Sequence, residues 1–207
     1  MTSKLNREEV LERLKSNRDF KGANLSNLDL TSLDFSGADM RDTDFAGSNL
    51  AGSNLNFVKA EGANFERCNL EKTFITRANL KKASFIAANL SNTNLSGADF
   101  ENANFYEANL ANAYMSSANL KNAVLEKVDL TAATCNLVCM EGANLKKASM
   151  TGIDLGGANL VGANLEDADM RKARLIKTKA METNLDGTNL EGAFIFKADF
   201  TGASPSL

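Results

Sequence analysis

The sequence contains no histidine and no tryptophan, and its single proline, Pro205, stands near the end. Without histidine the chain lacks the side chain that most often acts as a general base near neutral pH or as a neutral metal ligand, which argues against an enzyme and against a metal centre. Its three cysteines are an odd number and suggest no disulfide framework; reduced thiols of a cytoplasmic protein are expected instead. No apolar run is long enough to span a bilayer, and the first twenty residues are charged and lack an apolar stretch, so neither a membrane partner nor export by the standard route is expected. A large charge of one sign is missing too. With 26 acidic and 23 basic residues, the field around the chain is too weak to draw nucleic acid or an anionic membrane. The densest acidic group is Asp39, Asp42 and Asp44, whose spacing suits solvated corners better than a metal site.

What the sequence does contain is a five-residue register. Every fifth position from Leu25 to Phe200 is apolar without a slip of phase: nineteen Leu, seven Phe, five Met and two Ile, with Ala60, Cys135 and Ala180 completing the 36. Neither the 3.6-residue period of a helix nor the two-residue period of a strand produces this spacing. Two positions before each centre, 21 of the 36 residues are Ala; one position before, 25 are Asn or Asp. The unit therefore reads A-(N/D)-(L/F)-x-x, as in Ala23-Asn24-Leu25, Ala98-Asp99-Phe100 and Ala158-Asn159-Leu160. Thirteen of the fourteen glycines fall two places after a centre, where a tight turn is needed, and Gly156-Gly157 is the one doublet. No Gly-Lys-Ser/Thr ending accompanies it, so it is not a phosphate loop.

This unit resembles the pentapeptide repeat protein family over about residues 18 to 203. The resemblance implies an all-β fold: a right-handed quadrilateral β-helix with one pentapeptide per face and about nine coils, roughly 43 Å long at the strand spacing of about 4.8 Å. Large centres and small preceding residues would interlock inside it. Asn and Asp before each centre suit the corners, because their short side chains bond nearby backbone. Cys68 and Cys135 would point inward and Cys139 outward. Three segments are expected: residues 1–17 as a capping helix, 18–203 as the β-helix and 204–207 as a tail. Asn6-Arg7-Glu8-Glu9 reads as a helix N-cap with an acid three places on, followed by Val10, Leu11 and Leu14 at helical spacing. The short tail leaves the last coil edge open, and the family's habit of dimerising through that end implies a homodimer.

A filled axis leaves no apolar cavity for a substrate, so function is expected outside. Sorting outward positions by residue number modulo twenty separates the four faces. The face centred on Phe35, Leu55, Ile75, Leu95, Met115, Cys135, Leu155, Leu175 and Ile195 breaks the polar rule with Phe57, Phe74, Tyr114, Leu137, Ile176, Phe194 and Phe196. It also carries Arg77, Arg174, Lys177 and Lys197, against Asp34 and Asp154 alone as acids. Aromatics beside Arg are typical of interface centres. The candidate partner face is thus Phe57, Phe74, Arg77, Tyr114, Leu137, Arg174, Ile176 and Lys177, with Phe194 and Phe196 as candidate dimer contacts. Two structural uses compete: Phe194 and Phe196 serving the dimer alone, and Phe57 and Phe74 being covered by the N-terminal segment. Four cations over so many coils are too sparse for a nucleic-acid strand. No catalytic, cofactor-binding or metal residue is assigned. A non-enzymatic scaffold or regulator docking an unidentified protein is expected. The alternative is a DNA-mimicking inhibitor or protector of a type II topoisomerase, DNA gyrase, as some members of the resembled family are; near-balanced charge and an unbroken register count against it.

Overall fold

The computed structural model describes residues 4–205; residues 1–3 and 206–207, at the outer ends of the two flanking segments, lie outside the described residues. Every β-bridge is parallel and joins residues twenty apart, from Lys4↔Asn24 to Asn184↔Ser204. Four pentapeptides therefore complete one turn, and about nine turns stack into a four-sided rod. No strand of ordinary length forms among the described residues: each face contributes one bridge residue, the one before the centre, and two turn residues follow the centre.

Five backbone donors per unit explain why so short a repeat is stable, and the unit around Leu120 accounts for all of them. Ala118 N donates to Met115 O at 3.0 Å, closing the preceding turn, and Asn119 N donates to Ala98 O of the coil below at 2.9 Å. Leu120 N and Asn122 N donate to the coil above, reaching Cys139 O and Glu141 O at 2.6 and 2.9 Å. The fifth donor, Lys121 N, finds the Asn119 side-chain Oδ1 at 3.1 Å. Asn or Asp before the centre thus supplies the acceptor that the main chain cannot. The second turn residue is left-handed throughout, at φ +66° in Gly157 and +59° in Ser117, which is why glycine collects there.

All centres from Phe20 to Leu185 are buried, so the register begins one unit before Leu25. Phe45, Phe65, Phe85 and Phe105 stack along the axis with ring centroids 4.9, 5.0 and 4.7 Å apart. Where the small residue before the centre is Thr or Ser, its hydroxyl is used: Thr43, Ser48, Ser53, Thr93 and Thr178 donate to the carbonyls of Phe20, Leu25, Leu30, Leu70 and Leu155. No buried side-chain nitrogen or oxygen among the described residues lacks a partner.

The chain enters through Lys4 and Leu5, which bridge to Asn24 and lie against the first coil. An α-helix, α1 (Arg7–Lys15), follows, with a complete capping box between Asn6 and Glu9. Its Val10 is buried and Leu14 packs on the core, so the helix lids the first coil. Arg18 then ties this segment down, donating to Ser36 O at 2.8 Å. At the opposite end Ile195 is 48% exposed, and Leu190, Ile195 and Phe200 donate their N–H groups to no backbone acceptor among the described residues.

Cys68 and Cys135 are buried and Cys139 half-buried. Burial pushes both inward thiols up to about 12. Iodoacetamide at pH 8 is therefore expected to modify the folded protein at Cys139 only and all three cysteines in denaturant, as read by intact-mass spectrometry. Rapid labelling of Cys68 or Cys135 in the native protein would contradict the closed core.

Candidate protein-interaction face

Eight large apolar residues are exposed among the described residues, and six project from the face singled out above: Phe57, Phe74, Tyr114, Leu137, Phe194 and Phe196. Val124 lies elsewhere, and Ile195 is an inward centre uncovered at the end of the rod. Phe57 and Phe74, at 55% and 52% exposure, are not covered by the N-terminal segment. Phe74, Tyr114, Arg174 and Phe194 belong to one bridged column, each stacked on its neighbours one coil away. Arg174, Arg77, Lys177 and Lys197 are exposed, and Ile176 is half-buried. Lys197 Nζ stands 5.3 Å from the Phe196 ring centroid.

These residues are held at a local cost. Phe74, Tyr114, Arg174 and Phe194 occupy the position where Asn or Asp normally bonds the N–H two residues on. At Phe74 the loss is repaired by Asn56, whose Oδ1 accepts from Thr76 N at 2.7 Å across coils. For the donors of Ser116, Ile176 and Phe196 no such side-chain acceptor occurs among the described residues. Phe57 and Leu137 are the only large apolar residues at the left-handed turn position, with φ +62° and +58°. A bulky side chain there is strained, whereas the fold accepts Gly, Asn or Lys in the same slot. The Asn/Asp position also departs from the rule on other faces, at Lys59, Ser84, Val124, Cys139, Ser149 and Lys179. Aromatic side chains there and large apolar ones at the left-handed turn occur on this face alone, which marks outward chemistry that the fold does not require. Replacing Leu137 by Gly is therefore expected to raise stability by about 0.5–1 kcal/mol, read from the denaturation midpoint. A loss of similar size would mean that Leu137 packs for the fold.

Charge distinguishes this face as well. The other faces each carry more acids than cations. Some of their cations meet acids across coils, Lys81 with Glu101, Lys121 with Glu141 and Lys146 with Glu166, each at 2.7 Å, although Lys59, Arg67, Lys147 and Lys179 there form no ion pair among the described residues. Here the acids are already taken. Asp34 pairs with Arg18 at 3.4 Å, and hydrogen bonds from Ser36, with Arg18 beside it, hold its carboxyl below the usual range. Asp154 meets Arg174 Nε at 3.5 Å. Arg77, Lys177 and Lys197 form no ion pair among the described residues, so this face is net positive on a chain of net charge −3.

A groove of about 370 Å³ crosses the face between Leu137 on one coil and Ile176, Arg174 and Lys177 two coils on, floored by Gly156 and Gly157. The sequence revealed its walls but not its floor. Gly156-Gly157 reads as one more corner, and only its position between two large side chains in neighbouring columns gives it meaning. No group of His, Cys, Asp or Glu among the described residues is arranged to hold a metal ion.

The fold and this surface define a class: a solid β-helical repeat protein whose axis is filled and whose distinctive side chains lie on one outer face. The pentapeptide repeats model matches residues 16–47, 48–85, 83–122, 108–146 and 148–187, and the chain belongs to the pentapeptide repeat family. Its architecture is that family's right-handed quadrilateral β-helix with a short N-terminal helix. Among solved structures it is similar to HetL, a pentapeptide repeat protein involved in heterocyst differentiation regulation from the cyanobacterium Nostoc sp. strain PCC 7120. The identity is 27% over 96% of each chain, with a TM-score of 0.67. It is also similar to a trypsin-treated form of QnrB1, a plasmid-mediated fluoroquinolone resistance protein, at 24% identity over 88% of this chain and 86% of that one, with a TM-score of 0.47. No curated protein matches the chain significantly. No helix among the described residues is long and apolar enough to cross a membrane.

Proposed function

We propose that the protein is a non-enzymatic binding module, a rigid rod that regulates or scaffolds a protein partner docked on its aromatic and basic face. The observation that carries this reading is the gathering of six of the eight exposed large apolar residues on the outside of that face. Scattered surface apolars need no explanation, but large apolar side chains recurring along one face from Phe57 to Phe196, bordered by cations, have the composition of an interface core. The similarity to HetL, a protein involved in regulating differentiation, supports a regulatory use. A DNA-mimicking role at gyrase is less well supported, because Glu101, Glu141 and Glu166 are each neutralised by a Lys one coil below and form no continuous acidic surface.

The test is a pull-down from lysate with the full chain beside a variant carrying Phe74→Asn, Tyr114→Asn and Arg174→Asn. Proteins retained by the wild type alone are expected; identical retention by both would sink the reading.

The same reading includes a homodimer through the last coil, where Ile195, Phe194 and Phe196 stand exposed beside unpaired backbone donors. Light scattering should give twice the 22.2 kDa chain mass for the wild type. Ile195→Lys should give a monomer, and a monomeric wild type at micromolar concentration would refute the dimer.

A further inference from the structure

The groove floored by Gly156 and Gly157 differs chemically from the rest of the face. Its two walls lie two coil spacings apart, about 10 Å between backbones. Because Leu137 Cδ2 leans over Gly157, the room for one side chain lies mainly above Gly156, toward Ile176. The floor offers an occupant no hydrogen-bond donor, because both glycine N–H groups are used within the rod. Gly156 N donates to Asp154 Oδ1 at 3.0 Å. Gly157 N donates to Ile176 O, and Leu137 N donates to Gly156 O, both at 2.9 Å. A glycine pair with free N–H groups could cradle an anion, but this one cannot. Its surface suits an apolar group.

The rim suits a negative one. Lys177 forms no ion pair among the described residues, and Arg174 shares its charge with Asp154 at 3.5 Å. Asp154 itself is saturated: besides Gly156 N and Arg174, the Asn136 amide, turned to donate, reaches its Oδ1 at 2.8 Å. Asp154 keeps its negative charge, which Arg174 offsets, so the attraction for an acid rests on Lys177 and the net positive charge of the face.

We infer that this groove seats one aromatic or aliphatic side chain from an acidic segment of the partner protein, with the segment's flanking carboxylates paired to Arg174 and Lys177. The inference rests on the docking role proposed above and adds the chemistry of what docks. Charge complementarity with the net-positive rim and a floor that offers no N–H donor between the apolar walls of Leu137 and Ile176 are the two observations that select this occupant over a basic or purely polar one.

The test uses the full chain and three fluorescein-labelled peptides: Asp-Glu-Asp-Phe-Glu-Asp-Glu, its Ser-for-Phe analogue, and a Lys/Arg analogue retaining Phe. By anisotropy, the first should bind at least about tenfold more tightly than either analogue. Gly156→Leu fills the groove from a turn position that carries long side chains on other coils. A Cβ there stands 3.2 Å from the turned Asn136 amide nitrogen and 3.3 Å from Asp154 Oδ1, side-chain atoms that need give by only a few tenths of an ångström. That variant should lose binding at least about tenfold with a denaturation midpoint close to that of the wild type, as should Lys177→Glu, while Val124→Asn, on another face, stays within about twofold. Equal affinity for the three peptides, absence of binding, or indifference to Gly156→Leu would overturn the inference. If the triple Asn variant loses its partner in the pull-down and Gly156→Leu keeps it, the groove assignment fails while the face survives. If neither variant loses a partner, the docking reading fails as well.

Discussion

Phe85→Ala is expected to cost about 3–5 kcal/mol of folding free energy, the largest effect of any single truncation in the rod. Phe85 is fully buried and stacks face to face with Phe65 and Phe105 at centroid distances of 5.0 and 4.7 Å, while Phe100 meets its edge at 5.8 Å. Removing the ring deletes contacts on both neighbouring coils at once and leaves a void that the coils cannot close, because their spacing is fixed by backbone hydrogen bonds. Stability in a stacked-repeat protein is a sum of nearest-neighbour terms, so damage at a central coil also weakens the coupling between the two halves. Guanidinium denaturation should show a lower midpoint and a broader transition. A loss below about 1 kcal/mol would mean that the axis is loosely packed.

The triple variant Phe74→Asn, Tyr114→Asn, Arg174→Asn is expected to lose partner binding by about thirtyfold or more, as buried aromatic and Arg anchors at other interfaces do. Its stability should move the opposite way. Tyr114→Asn and Arg174→Asn restore the side-chain acceptor that the pentapeptide uses at that position, while at residue 74 the Thr76 N–H is already held by Asn56, so the variant should be as stable as the wild type or more so. This opposite movement separates function from fold: residues that serve the rod lower stability when replaced by the repeat's preferred residue, whereas residues kept for a partner do not. A destabilised triple variant would place Phe74, Tyr114 and Arg174 among the structural residues.

The fold was legible because its cause is written in the sequence at every unit. Leu120 and its equivalents fill the axis, Ala118 and its equivalents fit beneath the wall, and Asn119 supplies the acceptor for the donor two residues on. The capping box at Asn6 and Glu9 was readable for the same reason, being local. The entry of Lys4 and Leu5 onto the first coil was not, since two residues before a helix carry no periodic signal. The face was legible because an unbroken register fixes which residues align. The groove was not: it arises where side chains are missing, at Gly156 and Gly157, and a missing side chain has meaning only between the walls of the coils above and below. The left-handed strain at Phe57 and Leu137 likewise needed the backbone, because sequence gives the slot but not its φ.

The most direct test of the docking face is site-specific photo-crosslinking in the cell of origin. A photoreactive phenylalanine analogue is placed at Tyr114, on the aromatic face, or at Tyr106, two faces away in the preceding coil. The account predicts a discrete crosslinked protein from position 114 that is missing from position 106 and that disappears when Phe74 and Arg174 are changed to Asn. Crosslinks from position 106 alone, or from neither position, would contradict it.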